Sequence, residues 1–315
     1  MNAAHSLRIQ SDVARAISSG RTPVVALESS VLAQGLPIPA NREAAERMCG
    51  AVRRAGAIPA VTAVVRGAPT VGLEDEDLER FLRRDGIRKV AARDLAPAMA
   101  AGADGATTVA ASLAIAHLAG IPVFATGGIG GVHRVAEGAG AAWDESGDLP
   151  ELARTPIVVV CAGAKSILDL PATMERLETL GVTVVGYRTS ELPGFFTATT
   201  GIPLPARVES AAEVAAVFRA QRALGRSAAV LVVQPPPPEV ALPQHLVDAA
   251  VHTALERASA AGVRGGAVTP YLLADVERQT SGRSLGVNLA LLEANAKLAA
   301  EIAVELRSTG VGDGG

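Results

Sequence analysis

Lysine is rare in this sequence, and this rarity makes each lysine a candidate for chemistry. Of the 29 basic residues, 26 are arginine, and the lysines are Lys89, Lys165 and Lys297. A guanidinium stays protonated, whereas a partly desolvated lysine amine can become neutral and attack a carbonyl carbon to form a Schiff base. A chain so biased towards arginine is expected to keep lysine where arginine cannot replace it. Lys165 is therefore a candidate nucleophile; the alternative is an ordinary solvated loop residue.

The stretch around Lys165 predicts how this amine is positioned. Residues 157–162 form a continuous, β-branched apolar run, which is typical of a strand buried on both faces. Gly163 ends the strand, and residues 166–170 begin a helical pattern. Lys165 is thus predicted at the carboxyl end of a strand, where open α/β sheets bind their ligands.

A second predicted strand end carries a carboxylate. Residues 24–27 form a short apolar run that delivers Glu28 at its end, ahead of the proline-punctuated loop 34–41. A carboxylate under a loop that can cover it is a candidate general acid or base. The alternative is a surface glutamate in a salt bridge, because structural carboxylates outnumber functional ones.

Three further segments have the composition of an anion or phosphate site. Lys89 and Arg93 place two cations on one short predicted strand. Segment 102–111 is a glycine-rich entry to a helix, whose first N–H groups suit an anion or a capping side chain equally well. A strand beginning at Val123 runs into four glycines, and His133 follows them. That pattern lacks the spacing of a dinucleotide-binding fingerprint, but it indicates that the backbone approaches another group closely.

An acidic turn precedes the Lys165 strand. Asp144, Glu145 and Asp148 place three carboxylates within five residues, with Ser146 among them. Such oxygens could form a hard-cation site completed by water, phosphate and backbone carbonyls. The alternative is the N-terminal cap of a short helix over residues 149–153.

Composition excludes several classes of function. The chain has 315 residues, a net charge of −3 and no basic tract, which argues against nucleic acid as a partner. Its apolar runs are broken well short of a membrane span, so no membrane partner is expected. Two cysteines in apolar surroundings, Cys49 and Cys161, are typical of small core residues in a reducing compartment. We therefore expect a soluble, cytoplasmic protein that binds a small molecule.

Helical and strand patterns alternate along the whole chain. This alternation predicts an α/β fold, a three-layer α/β/α sandwich with a mainly parallel central sheet. We expect a single domain over residues 1–309, and a flexible, glycine-rich tail at residues 310–315.

Eight segments together resemble the pseudouridine-5′-phosphate glycosidase family, also known by its indigoidine synthase A-like members. They are VALESS (25–30), GLPIPAN (35–41), KVAARDL (89–95), GATTVAA (105–111), FATGGIGGVHR (124–134), WDESGDL (143–149), VVCAGAKSILDL (159–170) and SLGVNLAL (284–291). They occur in order across nearly the whole chain. The segments VVCAGAKSILDL and FATGGIGGVHR together point to this family far more specifically than any single glycine pattern does.

The resemblance implies an activity and assigns roles to residues. The family reversibly cleaves the C–C glycosidic bond of pseudouridine 5′-phosphate to uracil and ribose 5-phosphate, in pseudouridine degradation, as a homotrimer with Mn²⁺. By similarity, Lys165 is the nucleophile that forms an imine with the ring-opened sugar, and Glu28 is the proton donor. Asp144 would hold the metal ion. The implied substrate-binding residues are Lys89, Val109 through its backbone, Thr126, His133, Ser146, Gly147, Asp148 and, against the base, Asn288.

Several positions depart from the family pattern and bear on substrate affinity. Ala91 and Ala92 remove a hydroxyl and a cation, Gln34 replaces a histidine, and Gln234 replaces an asparagine before the prolines. Two alternatives stay open. A Schiff-base aldolase acting on a sugar phosphate would use the same lysine without a uracil pocket. A non-catalytic nucleotide-binding accessory protein would use Lys165 as a phosphate ligand only.

Overall fold

The structure is a computed structural model that describes residues 7–134, 144–263 and 268–308. The tail predicted at residues 310–315 lies outside the described residues, so its flexibility stays a prediction. The expectation of one domain over residues 1–309 stays a prediction as well.

The described residues form a central sheet of eleven strands and a separate two-stranded ribbon. The strands are β1 (Arg8–Ile9), β2 (Val24–Leu27), β3 (Ile58–Val65), β4 (Ala68–Val71), β5 (Arg88–Val90), β6 (Gly105–Thr107), β7 (Val123–Ala125), β8 (Val132–His133), β9 (Val158–Cys161), β10 (Leu168–Asp169), β11 (Thr183–Tyr187), β12 (Arg207–Val208) and β13 (Val230–Val233). The main path through the sheet is β1-β4-β3-β2-β7-β9-β13-β11-β12, and β5 joins through β6, which pairs with β3. The ribbon pairs β8 with β10.

The sheet is mainly parallel, as predicted. From β3 to β12 along the path every pair of neighbours runs parallel, and only the pairings of β3 with β4 and β6 are antiparallel among the described strands of this sheet. Every residue of β2, β9 and β13 is buried. Burial on both faces explains why these strands are continuous valine-rich runs, since a half-exposed strand would alternate with polar residues.

Helices flank the sheet, which confirms the predicted three-layer class. They are α1 (Ser11–Ser19), α2 (Ala40–Arg54), α3 (Asp75–Arg83), α4 (Leu95–Ala100), α5 (Val109–Leu118), α6 (Asp148–Arg154), α7 (Leu170–Thr179), α8 (Ala211–Ala223), α9 (Gln244–Ala260), α10 (Val268–Gln279) and α11 (Arg283–Ser308). The long helix α11 packs against α2 and α8 and touches β2, β7 and β9. Helices α5, α6 and α7 form a second packed group.

One local prediction needs correction, and one strand was not predicted. Residues 166–170 do not begin a helix: they form a turn and then β10, and α7 begins at Leu170. The pairing of β10 with β8 outweighs the local helical pattern. Hydrogen bonds to β8 satisfy the backbone N–H and C=O groups that a helix would otherwise pair within itself. The strand β4 was not anticipated. It returns from β3 through Arg66 and Gly67, which both have positive φ, so the reversal takes only two residues.

None of the described helices combines the length and apolar character needed to cross a membrane.

Candidate active site

Glu28, Thr126 and Lys165 follow three adjacent strands of the sheet. β7 lies between β2 and β9, and the three strands run parallel. Glu28 and Thr126 come directly after β2 and β7, and Lys165 comes after a short turn that follows β9. Because the carboxyl ends of parallel strands meet at one edge, the sheet brings the predicted acid and the predicted nucleophile to the same side of the molecule.

Glu28 is buried and held at both carboxylate oxygens. The hydroxyl of Thr126 donates a very short hydrogen bond to Oε1, and the hydroxyl of Ser30 donates to Oε2 at 2.5 Å. Only 5% of the residue is exposed. Glu28 has no salt bridge within the described residues, in contrast to the surface alternative. Hydroxyl groups fix the carboxyl without neutralising it, so it stays able to give and take a proton.

Lys165 is partly buried, and it lies on a turn whose backbone is fixed by hydrogen bonds. Its N–H donates to the carbonyl of Ile129 at 3.1 Å, and the N–H of Ile129 donates to the carbonyl of Gly163 at 3.1 Å. Gly163 has φ +87°, and a Cβ there would lie 2.5 Å from the carbonyl oxygen of Pro193. Only glycine fits this position, and the turn therefore presents Lys165 from a rigid support.

Lys89 joins the site from β5. Burial of the amine lowers the pKa of Lys89, the positive charge of Lys165 lowers it further, and the carboxylates of Glu28 and Asp148 partly oppose the shift. Lys89 is an exposed residue overall, and burial of its amine is still the largest cause of the lowered pKa. Neither Lys89 nor Lys165 forms an ion pair in the part of the chain that the structure describes, whereas Lys297 lies 3.8 Å from Glu301.

Asp148 is a buried cross-link as well as a predicted substrate ligand. Its Oδ1 accepts from the N–H of Ala110 at 2.9 Å, and its Oδ2 accepts from the N–H of Gly130 at 2.8 Å. These bonds tie the first turn of α5, which begins at Val109, to the glycine-rich segment after β7. A Cβ on Gly130 would lie 2.2 Å from the hydroxyl of Ser146, which explains one of the four glycines. Contact of Val109, Ser146, Gly147 and Asp148 with substrate stays a prediction.

Asp144 and His133 are the residues here that suit a metal ion. The Asp144 side chain is 61% exposed, and its Oδ2 lies 4.0 Å from Nδ1 of His133. The N–H of His133 donates to the carbonyl of Asp144, so the two residues are held side by side. No group of three or more acidic, histidine or cysteine side chains that could hold an ion occurs among residues 7–134, 144–263 and 268–308. The donor set fits a hard divalent ion that takes its other ligands from water and substrate.

Several buried polar atoms in segments near the candidate site have no hydrogen-bond partner among the described residues. Across the described residues, five buried side-chain atoms have no hydrogen-bond partner: Gln34 Oε1, Arg80 Nε, Thr108 Oγ1, Ser166 Oγ and Asn288 Oδ1. Four of them lie in segments that flank the site. Because an unpaired buried polar atom is costly, these four are candidates for contact with a bound molecule. Asn288 Oδ1 would lie 3.4 Å from a Cβ on Gly127, next to Thr126.

Cys161 lies at the end of β9, four residues before Lys165, but it is inert. Complete burial raises the pKa of its thiol to about 12, although the N–H groups of Gly163 and Ile129 oppose the shift. This agrees with the prediction that the cysteine is structural. The Cys161 thiol is therefore not a candidate nucleophile at this strand end.

Comparison with known proteins identifies the family. Residues 12–305 match the family described as Indigoidine synthase A like protein. The chain belongs to this family. A pseudouridine-5′-phosphate glycosidase from Gemmatimonas aurantiaca is 64% identical over 95% of this chain and 96% of its own.

Two solved structures have the same fold as this chain. The prealnumycin C-glycosynthase AlnA, in complex with ribulose 5-phosphate, superposes with a TM-score of 0.88 at 38% identity, covering 97% of this chain and 98% of its own. An indigoidine synthase A-like protein from Thermotoga maritima superposes with a TM-score of 0.86 at 36% identity, covering 96% and 98%. These similarities extend over the sheet and the segments that carry the site.

Sequence reasoning missed a hydrogen-bonded pair of amides in this chain, the buried Asn295 and the half-buried Gln234. The Asn295 side chain donates to the carbonyls of Thr126 and Gly127, and Gln234 donates to Asn295. One signal was available: Asn295 follows Asn288 by two helical turns, so both lie on one face of α11. Two amides on the buried face of an apolar helix indicate specific partners, because each must be hydrogen-bonded or in contact with a ligand.

Proposed function

We propose that this chain catalyses the reversible cleavage of the C–C glycosidic bond of pseudouridine 5′-phosphate to uracil and ribose 5-phosphate, as part of pseudouridine degradation. The observation that carries the proposal is the convergence of Glu28, Lys89 and Lys165 at one sheet edge, with both amines free of ion pairs among the described residues. The glycosidase relative that is 64% identical supports the substrate, and the ribulose 5-phosphate complex of AlnA supports a five-carbon sugar phosphate.

The leaving atom explains why the site needs an amine. Uracil would depart through its C5 carbon with the bonding electron pair, so C1′ of the sugar needs an electron donor that stabilises the positive charge left on it, and an amine nitrogen is such a donor. Lys165 Nζ attacks C1′ as the C1′–O4′ bond breaks, and Glu28 protonates O4′. The amine proton then returns to the Glu28 carboxylate. Because the hydroxyls of Thr126 and Ser30 fix this carboxyl, one group can serve both as acid and as base.

The second half of the reaction uses the same two residues. Glu28 delivers its proton to C5 of the base, and the C1′–C5 bond breaks while the Lys165 nitrogen lone pair forms a C=N bond with C1′. Uracil leaves, and one water molecule adds to the imine. Hydrolysis releases ribose 5-phosphate and returns Lys165 as a free amine, so the net reaction consumes one water molecule.

Binding roles follow from charge and from the unpaired atoms. The cationic amine of Lys89 attracts an anionic substrate, and the unpaired Asn288 Oδ1 accepts a hydrogen bond from an N–H of uracil. His133 and Thr126 contact the phosphate or the ribose. Free N–H groups at Val109, in the first turn of α5, suit an anion. Ser146, Gly147 and Asp148 line the remaining side.

The proposal includes Mn²⁺ held by Asp144, with His133 beside it. When bound, a divalent ion there supplies positive charge that neutralises the anionic oxygens of the substrate. Asp144 keeps its exposed carboxylate available for that purpose, since its hydrogen bond with His133 uses the backbone carbonyl. We further propose a homotrimer in the cytoplasm, built from single-domain subunits.

The decisive experiment follows uracil release from pseudouridine 5′-phosphate by chromatography, with and without Mn²⁺ after treatment with a chelator. Cleavage is expected, and faster with Mn²⁺. A second arm reduces the protein with borohydride in the presence of ribose 5-phosphate, and a covalent adduct on Lys165 is expected by mass spectrometry. Absence of cleavage would overturn the glycosidase proposal. An adduct without any use of uracil in the reverse reaction would instead favour an aldolase.

A further inference from the structure

Three polar groups from distant parts of the chain meet above the ends of β7, β9 and β13. The amide of Asn295, on α11, donates to the carbonyl of Thr126 at 2.8 Å and to that of Gly127 at 3.4 Å. The amide of Gln234, directly after β13, donates to Asn295 Oδ1 at 2.8 Å. Asn295 is 1% exposed, so its polar atoms are satisfied by protein alone.

The partners fix the direction of both amides. The Asn295 NH₂ group must face the carbonyls of Thr126 and Gly127, because carbonyls only accept hydrogen bonds. Its oxygen therefore faces Gln234, which must turn its own NH₂ group towards it. Neither side chain can be replaced by a carboxylate of equal size without setting oxygen against oxygen.

These bonds reach both catalytic residues through the backbone. Thr126, whose carbonyl accepts from Asn295, donates its hydroxyl to Glu28. The Gly127 carbonyl also accepts from the N–H of Ala162 at 2.9 Å, in the turn that leads to Lys165. The backbone N–H of Gln234 donates to the carbonyl of Cys161 at 3.0 Å, at the end of β9 directly before that turn. One amide pair thus connects the segment that holds Glu28 with the segment that carries Lys165.

We propose that Gln234 and Asn295 form a positioning pair, which sets the distance between Glu28 and Lys165 through the backbones of Thr126 and Gly127. The inference rests on the proposed function, in which a proton moves between these two residues at each turnover. Such transfers require placement within a fraction of an ångström, and a displacement of about 1 Å costs roughly 10²-fold in rate. The pair does not touch substrate, so its effect falls on kcat and not on KM.

The test compares variants of the pair in the pseudouridine 5′-phosphate cleavage assay. Asn295→Ala removes the side-chain donor to the Thr126 carbonyl and one of the two donors to the Gly127 carbonyl, and we expect kcat to fall roughly 10- to 100-fold while KM changes less than about threefold. Gln234→Ala should lower kcat by about threefold to tenfold. Gln234→Glu should be worse than Gln234→Ala, because the new carboxylate faces Asn295 Oδ1. The double variant Asn295→Ala with Gln234→Ala should be no slower than Asn295→Ala alone.

Gln221 supplies the matched control. It is a buried glutamine whose amide donates to the carbonyl of Ala228, ahead of β13, at the opposite end of the strand that Gln234 follows. Gln221→Ala should lower thermal stability to a similar extent and leave kcat unchanged. If Asn295→Ala and Gln234→Ala keep wild-type kcat, or if Gln221→Ala lowers kcat equally, the positioning role is overturned. If wild-type protein does not cleave the substrate, the proposed function fails first, and the positioning role fails with it.

Discussion

Two charged clusters at different places in this fold use their charges in opposite ways. The first, the arginine network, consists of Arg80 with Asp77 and Asp104, and bridges α3 and the segment before β6. The hydrogen bond that Arg80 donates to Asp104 lowers the pKa of this carboxyl group, so each charge is stabilised by its neighbour. The second is the proposed catalytic cluster, which consists of Glu28, Lys89 and Lys165. Here burial and the positive charge of Lys165 lower the pKa of Lys89.

The difference separates a cluster built for stability from one built for binding. Paired charges that satisfy one another stabilise the fold, whereas the proposed catalytic cluster keeps the amines of Lys89 and Lys165 close together and without ion pairs among the described residues. Substitutions in the arginine network should therefore change the free energy of unfolding, and substitutions in the catalytic cluster should change turnover.

The largest effect is expected for Lys165→Arg. The guanidinium keeps the positive charge but cannot form an imine, so cleavage of pseudouridine 5′-phosphate should fall by at least about 10³-fold. Lys297→Arg, an exposed lysine on α11, is the matched control and should keep wild-type turnover. Measurable kcat near the wild-type value in Lys165→Arg would remove the imine from the mechanism.

Glu28→Gln should lower kcat by about 10²- to 10³-fold, because the amide cannot exchange a proton. KM should change little, since the side chain keeps its size and one acceptor oxygen for Thr126 or Ser30. Steady-state kinetics measure this split. Glu79→Gln, at an exposed carboxylate paired with Arg42, is the control and should be indistinguishable from wild type. Equal kcat for both variants would rule out Glu28 as the acid.

Asn288→Ala tests whether an unpaired atom marks a ligand contact. We expect kcat/KM to fall by about tenfold through loss of the bond to the base. Stability should be unchanged or slightly higher, because the variant removes a buried oxygen that has no partner within the described chain. Thermal unfolding without ligand provides this measurement. A marked loss of stability with unchanged kinetics would make Asn288 structural.

Lys89 should give the reaction a pH dependence. Because its pKa is lowered, the amine loses its charge at a lower pH than an ordinary lysine, and KM for the anionic substrate should rise as pH increases through that value. Lys89→Arg keeps the charge throughout and should abolish this rise. KM measured from neutral pH to about pH 10 tests the prediction. Identical profiles for both proteins would contradict it.

The smallest effect on turnover is expected for Asp104→Asn, in the arginine network. The free energy of unfolding should fall by about 1–3 kcal/mol, while kcat and KM stay at wild-type values. Since the folded pKa of Asp104 is lowered, its stabilisation is present above the unfolded value of about 3.9 and is lost as pH falls through the folded value. Denaturant titrations at several pH values should show a weaker acid dependence in the variant.

Local patterns predicted the elements whose hydrophobic periodicity is unambiguous. The apolar runs at residues 24–27 and 157–162 predicted strands, and they are observed as β2 (Val24–Leu27) and β9 (Val158–Cys161). Placement of Glu28 and Lys165 at one sheet edge also followed, since it needs only parallel strands. Pairings between distant strands could not be predicted from local patterns. Residues 166–170 have a helical pattern, but Leu168 and Asp169 pair with β8 instead. Gln234 and Asn295, 61 residues apart, share a bond that no local pattern encodes.

The protonated state of the thiols has a practical consequence for studying the reaction. Burial raises the pKa of both Cys49 and Cys161, so neither is a thiolate near neutral pH. Neither sulfur competes with the amine for an open-chain sugar aldehyde, and air oxidation has no activated target in either residue. A single cysteine introduced on an exposed helix would therefore react with a maleimide dye faster than Cys161, which is fully buried.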